Sequence, residues 1–237
     1  MMKSYRTLFF DVDGTLLDFD RAEAVGIREV LRRYGLPATD ENAGLYHRVN
    51  AKCWQEFEEG ILSREQVVVE RFHRFFGLKG IQADAAEAET LYRSFLDQSA
   101  FLIGGAKELL EELKETGRFQ MYVVTNGVAA TQRKRIRAAG IWDYFDDVFI
   151  SEELDSQKPQ KLFFDRCLAR LGVGADGAEA FLRTALVIGD SLTSDIKGAF
   201  NAGIDSCWYN PSSAPNERQI PVTYQIKTLE EIKEILL

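Results

Sequence analysis

Apolar positions along this chain follow two rhythms. Near the N-terminus a short run, Leu8-Phe9-Phe10, has the continuous apolar character of a buried strand. From about Asp20 to Gln98 the spacing is helical, with no convincing strand. Ala24, Ile27, Val30 and Leu31 recur at helical intervals, and Gly35-Leu36-Pro37 ends that helix. Leu45, Val49, Cys53 (or Trp54) and Phe57 outline a second, closed by Gly60. Ser63-Arg64-Glu65-Gln66 is a capping-box pattern, serine followed three residues later by glutamine, and opens a third helix towards Phe76-Gly77. Leu91, Phe95 and Leu96 mark a fourth.

From Gly104 onward helix and strand alternate. The pattern predicts helices over 106–114, 129–138, 161–171, 193–201 and 229–236, and strands over 121–125, 148–151, 185–189 and 206–209. Such alternation implies an α/β fold, a Rossmann-like parallel sheet with helices on both faces. The strand before Asp11 belongs to this sheet. Residues 1–17 and 100–237 are therefore expected to form the α/β core, with 18–99 as an all-helical insertion.

Composition narrows the setting. A chain of 237 residues suits one large domain or a domain with an insertion, and 46% hydrophobic with 28% charged content is that of an ordinary soluble globule. A net charge of −8 disfavours general attraction to nucleic acid or an anionic membrane. Cys53, Cys167 and Cys207 are far apart and form no CxxC pair, which reads as buried thiols in a reducing cytoplasm. The start has basic residues but no long apolar stretch after them, and no run approaches membrane-spanning length. The expected location is cytoplasmic, with neither a membrane nor a nucleic acid as partner.

The chemistry sits at the predicted strand ends. Strand one runs into Asp11-Val12-Asp13-Gly14-Thr15-Leu16. Strand side chains alternate faces, so Asp11 and Asp13 share a site only if the backbone leaves β geometry between them, as Gly14 suggests. The next strand ends at Thr125-Asn126-Gly127; Lys158-Pro159 follows the third, at an expected helix start. The strand Leu186-Val187-Ile188-Gly189 ends at Asp190, with Asp195 five residues on. Each alone has a plainer reading: a turn, a helix cap, a solvated lysine. In this order at successive ends of one sheet they point to a shared pocket. Four carboxylates there call for a hard divalent cation, and oxygen-only ligation suits Mg²⁺. A phosphate would bridge it, held by the Thr125 hydroxyl, nearby backbone N–H groups and Lys158. Asp11 is then placed as an in-line nucleophile forming an aspartyl-phosphate, and Asp13 as general acid and base.

These motifs resemble the haloacid dehalogenase (HAD) superfamily over essentially the full chain: DxDGT at Asp11 to Thr15, the threonine at Thr125, Lys-Pro at Lys158-Pro159, and GDxxxxD from Gly189 to Asp195. The resemblance implies that the helical insertion is a small cap closing over the active site. It also implies Mg²⁺ bound by Asp11, the Asp13 main-chain carbonyl and Asp190, with Asp195 directly or through water. Dehalogenases of the fold lack an acid at the position of Asp13, so the resemblance favours phosphoryl transfer. Some positions depart from the usual pattern: Asp155-Ser156-Gln157 stands where a glycine is frequent, Gln160 replaces a frequent aspartate, and Gly104-Gly105 lacks a common proline. Altered loop geometry is the expected consequence.

The insertion, from Asn50 to Glu65 with Arg71-Phe72, resembles the pyrimidine 5′-nucleotidases that act on nonstandard nucleotides. Asn50 and Trp54, four apart on one helix face, are candidates to present an amide and an aromatic platform to a base. The competing reading puts Trp54 and Phe57 in the helical core, leaves Asn50 exposed, and gives Arg71 an ion pair. The expected partner is a small phosphorylated metabolite. Alternatives are another ester (phosphoglycolate, a sugar phosphate, a phosphorylated sialic acid), a phosphomutase of the superfamily, or a non-catalytic binding protein.

Overall fold

The computed structural model describes residues 4–237. The chain divides into two compact units, Met1–Asp18 with Leu102–Leu237, and Phe19–Phe101. The first begins with strand β1 (Thr7–Phe10). The second holds helices α1 (Phe19–Arg33), α2 (Asp40–Glu58), α3 (Arg64–Lys79) and α4 (Ala85–Leu96). The first unit resumes with α5 (Ala106–Glu115), β2 (Gln120–Thr125), α6 (Ala129–Ala138), β3 (Asp147–Ile150), α7 (Ser151–Leu154), α8 (Lys161–Arg170), α9 (Ala175–Leu182) and β4 (Ala185–Gly189). A π-helical turn, Leu192–Ile196, leads into α10 (Lys197–Ala202). Strands β5 (Asp205–Tyr209) and β6 (Tyr224–Ile226) and helix α11 (Ile232–Leu236) complete it.

The six strands are all parallel in the order β3-β2-β1-β4-β5-β6. This is the doubly wound arrangement, in which ligands bind beyond the carboxyl ends of the strands where the winding reverses, here between β1 and β4. Register brings those ends level: Phe10 pairs with Val123 on one side and Ile188 on the other. Both faces of the sheet are buried. Leu8, Phe10, Val123, Ile150 and Ile188 pack on one side with α5 and α11, while Phe9, Tyr122, Val124, Phe149 and Val187 pack on the other with α8 and α10. A central strand covered on both faces has no polar alternate positions, which is why β1 reads as an unbroken apolar run.

Within the helical unit, Ile27, Val30 and Leu31 of α1 bury against Tyr46, Phe72, Phe75 and Tyr92. The Ser63 capping box forms as expected, its hydroxyl accepting the Gln66 N–H while the Gln66 side chain accepts the Ser63 N–H. The helix runs past Gly77 to Lys79, because its stop signal is Gly80 in the left-handed region at φ 65°. No helix among the described residues is long and apolar enough to cross a membrane.

Several elements differ from expectation. Ser151 opens the short helix α7 instead of ending β3, and Pro159 precedes α8 by two residues rather than starting it. The helix expected over 193–201 begins as the π-helical turn. Helix α9 and strand β6 are additional. The first is eight residues long with a short stripe, Phe181 and Leu182, half-buried against the core, and the second is three residues long.

Candidate active site

Beyond Phe10 the backbone turns sharply. The N–H groups of Leu16 and Leu17 both return to the Val12 carbonyl, at 2.9 and 2.8 Å, and Gly14 sits at φ 83°. Gly14 is also required by space, since a Cβ there would lie 2.7 Å from Asp190 Cγ. Gly189 is in the same position with respect to Asp195, whose side chain lies where a Cβ would be. The glycines of two motifs thus make room for the acids of the fourth.

Lys158 Nζ is at the centre. It donates to Asp11 Oδ1 at 2.6 Å, to Asp195 Oδ1 at 2.6 Å and to the Val124 carbonyl at 2.7 Å. Those bonds use all three ammonium protons. The lysine is 1% exposed, and burial alone would lower its pKa. The Asp11 and Asp195 carboxylates outweigh burial and hold it above the ordinary lysine value, so the group stays charged. Asp195 Oδ2 also accepts the Ser191 N–H at 3.0 Å. Asp190 receives the Thr15 hydroxyl at 3.3 Å, and its carbonyl accepts from Trp208 Nε1 at 2.8 Å.

Carboxylate oxygens of Asp11, Asp190 and Asp195 all lie within 4.8 Å of one another. One ammonium among three carboxylates leaves the cluster short of positive charge. Burial first, and then the Asp195 carboxylate, pushes Asp11 up to about 7 in spite of Lys158. Burial, Asp11 and Asp195 together hold Asp190 well above the usual carboxylate range. A buried, oxygen-only donor set with this deficit fits a hard divalent cation such as Mg²⁺.

Sequence alone suggested four carboxylates in one pocket, and the structure gathers three. The Asp13 carboxylate is drawn aside by Gln132 Nε2, which donates to Oδ2 at 2.6 Å, and by the Arg135 guanidinium, which pairs closely with Oδ1. The Asp13 carboxylate is thereby held apart from the Asp11, Asp190 and Asp195 cluster. Thr125, 2% exposed, accepts from Gly127 N–H at 3.1 Å and from Gln132 Nε2 at 2.9 Å. Asn126 clamps the Lys158 backbone from both sides: its Oδ1 accepts the Lys158 N–H at 3.0 Å and its Nδ2 donates to the Lys158 carbonyl at 2.8 Å. Its amide therefore positions the lysine. Gln132 and Arg135 were not anticipated. Their one signal in the sequence is a polar pair three residues apart on the stripe of α6 that also carries Ile136.

In the helical unit, Asn50 is 3% exposed and spends its amide internally. It donates to Glu23 Oε1 at 2.6 Å and accepts from Arg71 Nη1 at 3.0 Å. Arg71 forms the expected ion pair, with Glu89 at 2.5 Å. Trp54 packs edge-on against Phe57 with ring centroids 5.6 Å apart. A base-reading role for Asn50 would have to use the one amide N–H left over on a side chain already held by Glu23 and Arg71.

The carboxyl edge of a doubly wound parallel sheet thus carries a cluster of acids, a buried lysine and a buried threonine. The model of the haloacid dehalogenase-like hydrolases matches residues 5–203, and the chain belongs to that family. It is 43% identical to HAD-hydrolase YfnB of Bacillus subtilis, over 99% of this chain and 97% of that one. The crystal structure of YfnB bound to magnesium, in a form that reveals interdomain movement, matches with a TM-score of 0.89 over 99% of both chains at 42% identity. The chain is also 36% identical to the pyrimidine 5′-nucleotidase PynA of Streptococcus pneumoniae, over 98% of this chain and 95% of that one. With the pyrimidine 5′-nucleotidase YjjG of Escherichia coli it shares 29% identity, covering 97% and 96%.

Proposed function

We propose that this hydrolase is a Mg²⁺-dependent phosphomonoesterase acting through an aspartyl-phosphate, with pyrimidine nucleoside 5′-monophosphates as its substrates. The observation that carries the proposal is the charge deficit of the Asp11, Asp190 and Asp195 cluster around a fully engaged Lys158. Asp11, Asp190 and the Asp13 carbonyl would hold the ion, with Asp195 directly or through water. When bound, the ion supplies the positive charge that lets a phosphate dianion approach Asp11.

One Asp11 oxygen is tied to Lys158, which fixes the carboxylate's rotation and leaves the other oxygen for attack on phosphorus. As the phosphorus–oxygen bond of the ester breaks, the leaving oxygen takes a proton from Asp13. Water then attacks the phosphorus of the aspartyl-phosphate and gives its proton to Asp13. The bond between phosphorus and the Asp11 oxygen breaks, and inorganic phosphate is released with Asp11 regenerated. The Thr125 hydroxyl would donate to a phosphoryl oxygen, and Lys158, with its three N–H groups engaged, would offset the charge there by its own charge alone. The nucleotide preference rests on similarity to two pyrimidine 5′-nucleotidases along nearly the whole chain.

The test is phosphate release with Mg²⁺ across pyrimidine and purine monophosphates, sugar phosphates, phosphoglycolate and a phosphorylated sialic acid, with Asp11→Asn as the blank. The expected result is a preference for pyrimidine monophosphates and a loss of at least about 10³-fold in the blank, the scale of removing the nucleophile. Preference for another ester would retain the mechanism and discard the specificity. Activity unchanged in Asp11→Asn would sink the mechanism.

A further inference from the structure

Helix α6 starts four residues past Thr125 and carries two polar side chains into the protein, Gln132 and Arg135, each 1% exposed. Residues three apart share a helix face, so both reach the same neighbour. That neighbour is Asp13, whose two carboxylate oxygens are taken one each: Oδ2 by Gln132 Nε2 at 2.6 Å, Oδ1 by the Arg135 guanidinium. A primary amide has two N–H donors. The second Gln132 N–H goes to Thr125 Oγ1 at 2.9 Å. The orientation of this amide is itself determined, because Gln132 Oε1 accepts from Arg135 Nη1 at 3.4 Å and so turns Nε2 towards Asp13 and Thr125.

Two consequences follow from the hydrogen-bond inventory. Thr125 Oγ1 already accepts from Gln132 and from the Gly127 N–H, so the capacity left to the hydroxyl is its own proton, a donor. That polarity suits a phosphoryl oxygen. Asp13 cannot rotate without breaking bonds on both oxygens. Gly127 belongs to the same device, since a Cβ on it would fall 2.7 Å from Gln132 Cδ. The glycine after Thr125-Asn126 leaves the passage through which the glutamine reaches both groups.

We infer that Gln132, oriented by Arg135, is the positioning residue that couples the leaving-group acid Asp13 to the phosphate-holding hydroxyl of Thr125. The inference rests on the acid role proposed for Asp13. It predicts a dependence on the leaving group. An alkyl ester such as a nucleoside 5′-monophosphate expels an alkoxide that needs a proton as the bond breaks. The 4-nitrophenolate of 4-nitrophenyl phosphate leaves without one. Positioned general acid catalysis is worth about 10²–10⁴ in rate, and only the alkyl ester draws on it. The Thr125 hydroxyl meets both esters alike, so its disturbance cancels in their ratio.

The experiment compares kcat/KM on these two esters for wild type, Gln132→Met, which keeps length and volume without donors, Gln132→Ala, and Asp13→Asn. This ratio reports steps up to loss of the leaving group and leaves out the shared hydrolysis of the aspartyl-phosphate, where Asp13 would act as base. The expected result for Gln132→Met is a fall of about 10²-fold on the alkyl ester and under about fivefold on the aryl ester. Partial unfolding cannot imitate this, because the same folded molecules hydrolyse both substrates and their ratio is independent of how many there are. Equal losses on both esters, or no loss on either, would overturn the inference and leave Gln132 a packing residue. If Asp13→Asn moves the ratio and both Gln132 variants do not, the inference alone fails. If Asp13→Asn leaves the ratio intact, the acid role of Asp13 fails and takes the inference with it.

Discussion

Asp155 shows how one residue can absorb a departure from a family pattern. It stands at φ 46°, in the left-handed region, where a glycine would adopt the same backbone freely. Aspartate tolerates this conformation better than most residues, and its side chain lies in solvent near Arg166 at 3.5 Å. The loop towards Lys158 is thus built on a conformation that a β-branched residue disfavours. Asp155→Val is expected to cost about 1 kcal/mol, read as a lower urea midpoint, while Asp155→Gly leaves the midpoint level or higher. A valine variant as stable as wild type would show that the conformation carries no strain. Cys53, Cys167 and Cys207 are all free and buried, and burial disfavours their thiolate forms, pushing Cys207 up to about 12.

At the scale of elements, α1 and α2 are joined through a polar link as well as through their apolar faces. Glu23 on α1 is buried and accepts from Asn50 of α2, and its other oxygen meets His47 Nδ1 at 2.5 Å. The hydrogen bond to Glu23 raises the His47 pKa above its ordinary 6.5, against a smaller opposing effect of partial burial. Asp20 adds to the rise and Arg48 opposes it. A pKa raised on folding contributes stability that is complete below the unfolded value and disappears as pH climbs through the folded one. His47→Gln should therefore destabilise the protein more at about pH 5.5 than at about pH 8.5. The check is a pair of thermal melts at each pH; a deficit that is equal at both would remove His47 from the linkage.

For the whole molecule, the site is a liability until its charge is balanced. Two buried carboxylates and a half-buried third beside one lysine oppose folding, and the divalent cation proposed for the site would reverse the sign. Mg²⁺ at about a hundred times its dissociation constant adds about 2.7 kcal/mol by mass action, a rise of several degrees in melting temperature. Asp190→Asn should abolish that rise. In chelator the same variant should melt at or above wild type, because it removes a like charge from the cluster. A variant that gains as much from Mg²⁺ as wild type does would show that the ion is held elsewhere.

The local pattern of the chain by itself determined the fold class, the strand ends that carry acids, threonine and lysine, and the helix stops at Gly35 and Gly60. These follow from short-range rules: a strand buried on both faces is apolar throughout, and a capping box needs only four residues. Strand β6 and helix α9 escaped because each writes too short a pattern; one is three residues long and the other turns only Phe181 and Leu182, half-buried, to the core. The partners of Asp13 were decided by tertiary structure alone. Gln132 and Arg135 lie about 120 residues further along. On a helix, a polar pair three apart looks the same whether it faces solvent or a buried carboxylate. Only the packing of α6 against the turn after β1 tells the two apart, and the same holds for Asn50, whose amide is claimed by Glu23 and Arg71.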